Sequence, residues 1–251
     1  MKTSVLILSF CIFLSISLTA QKIEQDVDPF SKLQIGPGIN VELIKSTSER
    51  VILASEDEEI EDIEIKVTNG TLKIGFENID MDKDGWDWND QEITFSRYSL
   101  SGTPYENVKI YAKIYFKQLK ELEFRGDEKL FTKDILIKET FNLRVLGKAQ
   151  LKIAGIRADD LTIKAYGESV LEILQGSSGQ LNIKAYGENK LQLSQLQADQ
   201  SKITSIGENQ IQVYADAILK IKSIGTGIVE YKGNPEVKDF NIGESEIRRL
   251  E

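Results

Sequence analysis

Glu168, Glu188 and Glu208 recur at a fixed spacing, each directly after a glycine. On neighbouring turns of a repeating structure such carboxylates would lie about 4.8 Å apart, and they would repel unless water, a cation or basic side chains stood between them. Lys164 and Lys184 fall in the same repeats, and Lys148 in the repeat before. The plainer alternative is a solvated charged face with screened pairs. A second series stands one residue before the glycines: Leu146, Tyr166, Tyr186, Ile206, Ile224 and Ile242. Unbroken strand alternation would turn these residues outward as an apolar docking stripe, with Tyr166 and Tyr186 as ligand contacts. A glycine corner that resets the parity would make them core instead.

The segment from Asp80 to Glu92 is the third place where chemistry could reside. Asp80, Asp82 and Asp84, followed by Gly85, reproduce the opening of a calcium loop, with oxygen ligands at alternate positions and then a glycine for a sharp turn. The remainder departs from an EF-hand. Gln91 stands where a bidentate glutamate is required, Asp87 where an apolar residue is usual, and the flanks read as strands. Three readings stay open: a calcium site of another kind, an acidic hairpin tip whose Trp86 and Trp88 contact a sugar or a partner, and a solvated loop. Beyond that calcium no cofactor is implied.

The chain contains no histidine, and its single cysteine, Cys11, lies in an apolar N-terminal run. That removes histidine acid–base catalysis, Ser-His-Asp triads, cysteine nucleophiles and the usual zinc sites together. An enzyme would have to work with carboxylates, lysines, arginines and tyrosines, as polysaccharide hydrolases and lyases do. The net charge of -9 and the lack of a basic stripe interleaved with aromatics argue against nucleic acid as a partner.

These residues must be positioned by the elements around Gly126, Gly147, Gly167, Gly187, Gly207, Gly225 and Gly243, which recur at intervals of about 20 residues. Leu161–Glu168 reads LTIKAYGE, Leu181–Glu188 reads LNIKAYGE and Ser201–Glu208 reads SKITSIGE. Leu161, Ile163 and Ala165 alternate with Thr162, Lys164 and Tyr166, and a period of two means strand. The expected fold is all-β: a single-domain β-solenoid, parallel and β-helix-like, with coils of about 20 residues. Stacked at about 4.8 Å per coil, the seven glycines would mark a rod section roughly 29 Å long.

The N-terminal half alternates without the regular glycine. Strands are expected at Leu33–Ile35, Val41–Ile44, Val51–Ala54, Ile63–Val67, Leu72–Phe76, Ile93–Phe95, Val108–Phe116 and Leu119–Phe124, with a hairpin turn at Asn69-Gly70. Residues 1–20 read as a secretory signal: Lys2, then an apolar run from Val5 to Leu18, then Thr19-Ala20 before Gln21. Such a run is short for a membrane span, so no transmembrane segment is expected in the mature chain. Export would place the protein in the periplasm, on the outer surface or outside the cell. The expected organisation is a signal at 1–20, a short lead at 21–29 and one domain at 30–251, irregular over 30–120 and regular over 121–248.

Gly38-Ile39-Asn40 with Val41 and Leu43, the glycine-centred repeats, and the run from Gly225 through Tyr231 to Pro235 together resemble the bacterial GIN-domain family of autotransporter-adhesin heads. The resemblance spans about Phe30 to Ile247 and implies an exported or envelope β-solenoid that acts as an adhesin. The leading expectation is therefore a binding module without catalytic activity, its partner a surface glycan or an envelope protein. Two alternatives differ in class: a polysaccharide-active lyase or hydrolase with acids converging in a groove, and a structural envelope component that forms homo-oligomers.

Overall fold

The computed structural model describes residues 21–55, 58–77 and 108–250. Over them the chain winds a three-faced β-solenoid whose strands run parallel from coil to coil. The first face carries the strands that end at the corner glycines, among them Glu121–Gly126, the last third of Lys129–Gly147, and 161–167. The second face carries those that follow the corner, including Val170–Ile173, Lys190–Gln192, Gln210–Tyr214 and Ile228–Lys232. The third face is built from 135–140, 155–160, 176–180 and 196–200.

Alternation decides what each face buries. Leu161, Ile163 and Ala165 point inward and are fully buried, as are Leu171 on the second face and Ile156 on the third. Equivalent residues fall in register: Leu161 pairs with Leu181, and Ile163 with Ile183, which pairs with Ile203. The core is thus a set of aliphatic columns along the rod, and each coil needs its neighbours to close it. Where the glycine spacing shortens towards the C-terminus, the third face is what contracts. Tyr214 is followed within a few residues by the next first-face strand, Ile218–Gly225, and the amides of Asp216 and Ala217 bond the carbonyls of Ala198 and Asp199.

The N-terminal half builds its coils out of sequence order. Lys32–Ile35 lies between Thr71–Phe76 and Glu121–Gly126, parallel to both. Ile39–Lys45 likewise lies between Ile110–Phe116 and the start of Lys129–Gly147. Antiparallel strands close this end: Ile63–Thr68 folds back on Thr71–Phe76, while Gln21–Asp26 pairs Arg50–Ser55, which pairs Ile110–Phe116. The hairpin turn is the expected one, with Asn69 at φ 52 and Gly70 at φ 72, both central residues left-handed. Gln21–Asp26 makes part of the expected lead a strand, and its Glu24 holds Arg50 at 2.8 Å. The strand expected at Ile93–Phe95 lies outside the described residues.

Candidate functional site

Each repeat glycine stands at the corner between the first and second faces. Gly167, Gly187 and Gly207 have φ of 111, 112 and 107, and a Cβ on any of them would overlap the carbonyl oxygen of the preceding corner glycine. Two requirements therefore coincide, positive φ and close backbone approach, and both exclude side chains. The column is structural.

Two residues past the corner, the chain turns a polar side chain into the rod. Asn189 and Asn209 are buried and bonded in series. The Asn189 backbone amide and Nδ2 donate to Oδ1 of Asn209 at 3.0 and 2.9 Å, and the Ser169 amide donates to Oδ1 of Asn189 at 3.0 Å. The Nδ2 groups also donate to the carbonyls of Tyr186 and Ile206 at 3.0 Å, and that of Asn209 lies 3.2 Å from Ala185 O and 3.1 Å from Ser205 Oγ. Ser169 and Ser245 take the same place in other coils, each donating to a corner glycine carbonyl. This ladder satisfies polar backbone that the tight corner would leave buried and unpaired.

One residue past the corner, Glu168, Glu188 and Glu208 are exposed. The basic group that meets them is Lys148, whose Nζ lies 2.9 Å from Glu168. The Glu168 carboxylate, by hydrogen bond and charge, holds that ammonium above the ordinary lysine range, with smaller contributions from Asp127 and Glu188. Lys164 and Lys184 are elsewhere, on the outward side of the first face. The glutamate row is a solvated corner.

Parity is not reset at the glycines, so Leu146, Tyr166, Tyr186, Ile206, Ile224 and Ile242 all stand in the outward register of the first face. Their exposure changes along the rod. Leu146 is 0% and Tyr166 4% exposed, Tyr186 is half-buried, and Ile206 and Ile242 reach 37% and 51%. Tyr166 and Tyr186 stack with ring centroids 5.3 Å apart. Tyr166 therefore offers a ligand almost no surface, and the accessible part of the row lies towards the C-terminus.

The neighbouring outward rows are basic. Arg144, Lys164 and Lys184 follow one another in register, then Thr204 and Lys222, while Lys202, Lys220 and Lys238 form the row beside them. Burial first, and then the charges of Arg144 and Lys184, hold the Lys164 ammonium below its ordinary range. At the N-terminal end of this face Glu123 is buried between Arg125 and Arg144, the latter at 2.6 Å. The second face is self-compensated, with Lys152 on Glu172 at 2.8 Å and Arg248 on Glu230 at 2.6 Å.

The third face carries a shallow groove of about 700 Å³ lined by Arg157, Asp159, Ser177, Gly179, Gln197 and Asp199 among others. Gly179 lies in register between Asp159 and Asp199, which stand two coils apart, roughly 9.6 Å along the stack. Among the described residues no group of three or more acidic, histidine or cysteine side chains is arranged to hold a metal ion. Asp80, Asp82, Asp84, Trp86 and Trp88 lie outside the described residues.

Residues 29–235 match the family described as "Putative auto-transporter adhesin, head GIN domain". The chain belongs to this family. No curated protein matches it. Among solved structures, the GIN domain here resembles a "putative adhesin" from Bacteroides fragilis NCTC 9343 at 16% identity and TM-score 0.74, with 92% of this chain and 97% of that one covered. A "putative adhesin" from Parabacteroides merdae ATCC 43184 matches at 14% identity and TM-score 0.65, covering 92% and 96%. A "putative lipid binding protein" from Parabacteroides distasonis ATCC 8503 matches at 18% identity and TM-score 0.65, covering 92% and 97%. At these identities the likeness is one of fold.

Of the side chains singled out in the sequence, the GIN domain brings together Tyr166 with Tyr186 and Glu168 with Lys148. It separates the tyrosine row from the glutamate row by a corner. Two features escaped the sequence reading, the inward asparagine ladder and the basic rows beside the apolar one. Both had a signal, because Ser169, Asn189 and Asn209 share one place in the repeat and Lys164 and Lys184 another.

Proposed function

We propose that this GIN domain is an exported, non-catalytic binding module whose contact surface is the C-terminal part of the first face. One observation carries the reading. The row before the corner glycines, fully packed at Leu146, emerges as exposed apolar surface at Ile206 and Ile242, with Phe240 beside it 56% exposed. Scattered exposed apolar residues are ordinary, but a contiguous stripe on a rigid sheet marks contact with a partner. Residues 1–20, with their apolar run, support export. Among the described residues no helix is long and apolar enough to cross a membrane.

A non-catalytic role is supported by the third-face groove, whose acids Asp159 and Asp199 are exposed on an open strand face. Glycoside hydrolysis needs one carboxyl kept protonated by an enclosed setting. The test is binding of the wild-type chain and an Ile206→Ser/Ile242→Ser variant to an immobilised panel of glycans, envelope proteins and lipids. The expected outcome is a panel ligand whose affinity falls by about tenfold in the variant, since two apolar contacts are removed. Unchanged binding would move the contact surface away from this face, to Trp86 and Trp88 first.

A further inference from the structure

We propose that the first face binds an anionic lipid surface, an inference that rests on that face being the contact surface. The chain is acidic overall, at -9, yet no carboxylate occupies the three outward rows that run from Asn142, Arg144 and Leu146; Asp160 and Glu236 stand in the row beyond them. Lys202, Lys220 and Lys222 are exposed and have no carboxylate partner among the described residues, while Lys238 is shared with Glu236 at 3.0 Å. Lys222 stands next to Ile224 on its own strand and in register with Phe240, while Lys202 and Lys220 lie one outward row further from Ile206, Ile224 and Ile242. Cations and apolar side chains therefore occupy adjacent outward rows of one parallel sheet, with Lys222 and Phe240 in register in the row beside the isoleucines.

That pairing separates a membrane from a soluble polyanion. An acidic chain would use the lysines and leave the isoleucines exposed, and sugar rings pack on aromatic rings rather than branched aliphatics. Here the ring pair of the row, Tyr166 with Tyr186, is stacked on itself, with Tyr166 buried and Tyr186 half-buried, which leaves Phe240 as the exposed ring of the patch among aliphatic neighbours. A bilayer takes both rows at once, because Ile and Phe enter the headgroup–acyl boundary while lysine stems extend over it to place ammonium groups at the phosphates. Glu208 and Glu244, at the corner beyond the apolar row, bound the patch and would tilt that edge away from the anionic surface.

Sedimentation with vesicles of phosphatidylcholine alone, and of phosphatidylcholine mixed with phosphatidylglycerol, tests the inference. The folded wild-type chain is expected to bind the mixed vesicles, weakly or not at all the neutral ones, and to be released by salt. Lys202→Glu/Lys220→Glu/Lys222→Glu should lower that binding by about a hundredfold or more. Ile206→Ser/Ile242→Ser should lower it by about tenfold while keeping the preference for anionic lipid. Circular dichroism of each variant checks that the fold is kept. No binding to mixed vesicles by folded wild type overturns the lipid assignment, and if panel binding still depends on Ile206 and Ile242 the contact surface itself survives. Dextran sulfate bound as tightly as vesicles, indifferent to the isoleucine change, would mean a polyanionic chain and also overturns it. A wild-type dimer that the isoleucine change dissociates, with no vesicle binding, would mean a second copy of the chain. Vesicle binding indifferent to both variants overturns the lipid assignment and the contact surface together.

Discussion

Among the described residues, Asn209 gathers a dense set of buried polar contacts. Its Oδ1 accepts from the Asn189 amide and Nδ2, and its own Nδ2 lies within 3.2 Å of Ala185 O, Ser205 Oγ and Ile206 O. Truncation would leave two donors on Asn189 and several acceptors unpaired at a site with no access to water, and such groups cost more unpaired than a hydrogen bond gains. Asn209→Ala is therefore expected to lower stability by about 2–3 kcal/mol, read from urea denaturation midpoints. Glu208→Ala, one residue away and exposed, should change it by about 0.5 kcal/mol or less. The contrast reverses what residue types alone suggest, since a recurring glutamate invites chemistry and an asparagine passes for a turn residue. Alternation across a corner cannot be read from one repeat. The recurrence of small or amide side chains two places after the glycine was the available sign that this position turns inward.

At the scale of the strand and its turn, glycine serves two needs that can be separated. Gly70, in the hairpin between Ile63–Thr68 and Thr71–Phe76, has positive φ with no atom near a would-be Cβ. Gly187 has positive φ and, in addition, the Gly167 carbonyl where a Cβ would sit. Gly70→Ala is thus expected to cost about 1 kcal/mol, the strain of a left-handed residue alone. Gly187→Ala should cost about 3 kcal/mol or more, because the coil spacing must also open. Thermal or urea unfolding of the two variants measures the difference. Both glycines were legible in the sequence, the first from Asn-Gly between alternating runs and the second from recurrence. The partners of the N-terminal strands were not. Lys32–Ile35 pairs with Thr71–Phe76 and Glu121–Gly126, both far along the chain, and alternation marks a strand without saying which strand it joins.

As a whole the molecule is a rod whose surface charge sorts by face, basic on the first, compensated on the second and acidic in the groove of the third. Its two ends also differ in how they stop the stack. The N-terminal end is closed by antiparallel strands, whereas the last coil, Glu236–Gly243 with Glu246–Arg249, changes the chemistry of the columns. Asp239 falls in register with Ile221, and Asn241 with Ser223, so two inward columns carry exposed polar groups in the last coil, while Val237 and Ile247 continue the Leu219 and Val229 columns as apolar residues. A charged residue at an inward position of an edge strand discourages a further strand from adding to it. The coil before it has no such protection: Leu219, Ile221 and Val229 are at most 3% exposed and depend on the last coil for cover. In a solenoid each coil is stabilised by its neighbours, so removing residues after Gly233 should leave the remaining coils folded. It would also present an apolar sheet edge with unpaired backbone groups. Chains ending at Gly233 are therefore expected to keep the β circular-dichroism spectrum yet self-associate with rising concentration in light scattering, and Ile221→Asp in that background should return them towards monomer. A truncated chain that stays monomeric at all concentrations would place the protection elsewhere than in the polar last coil.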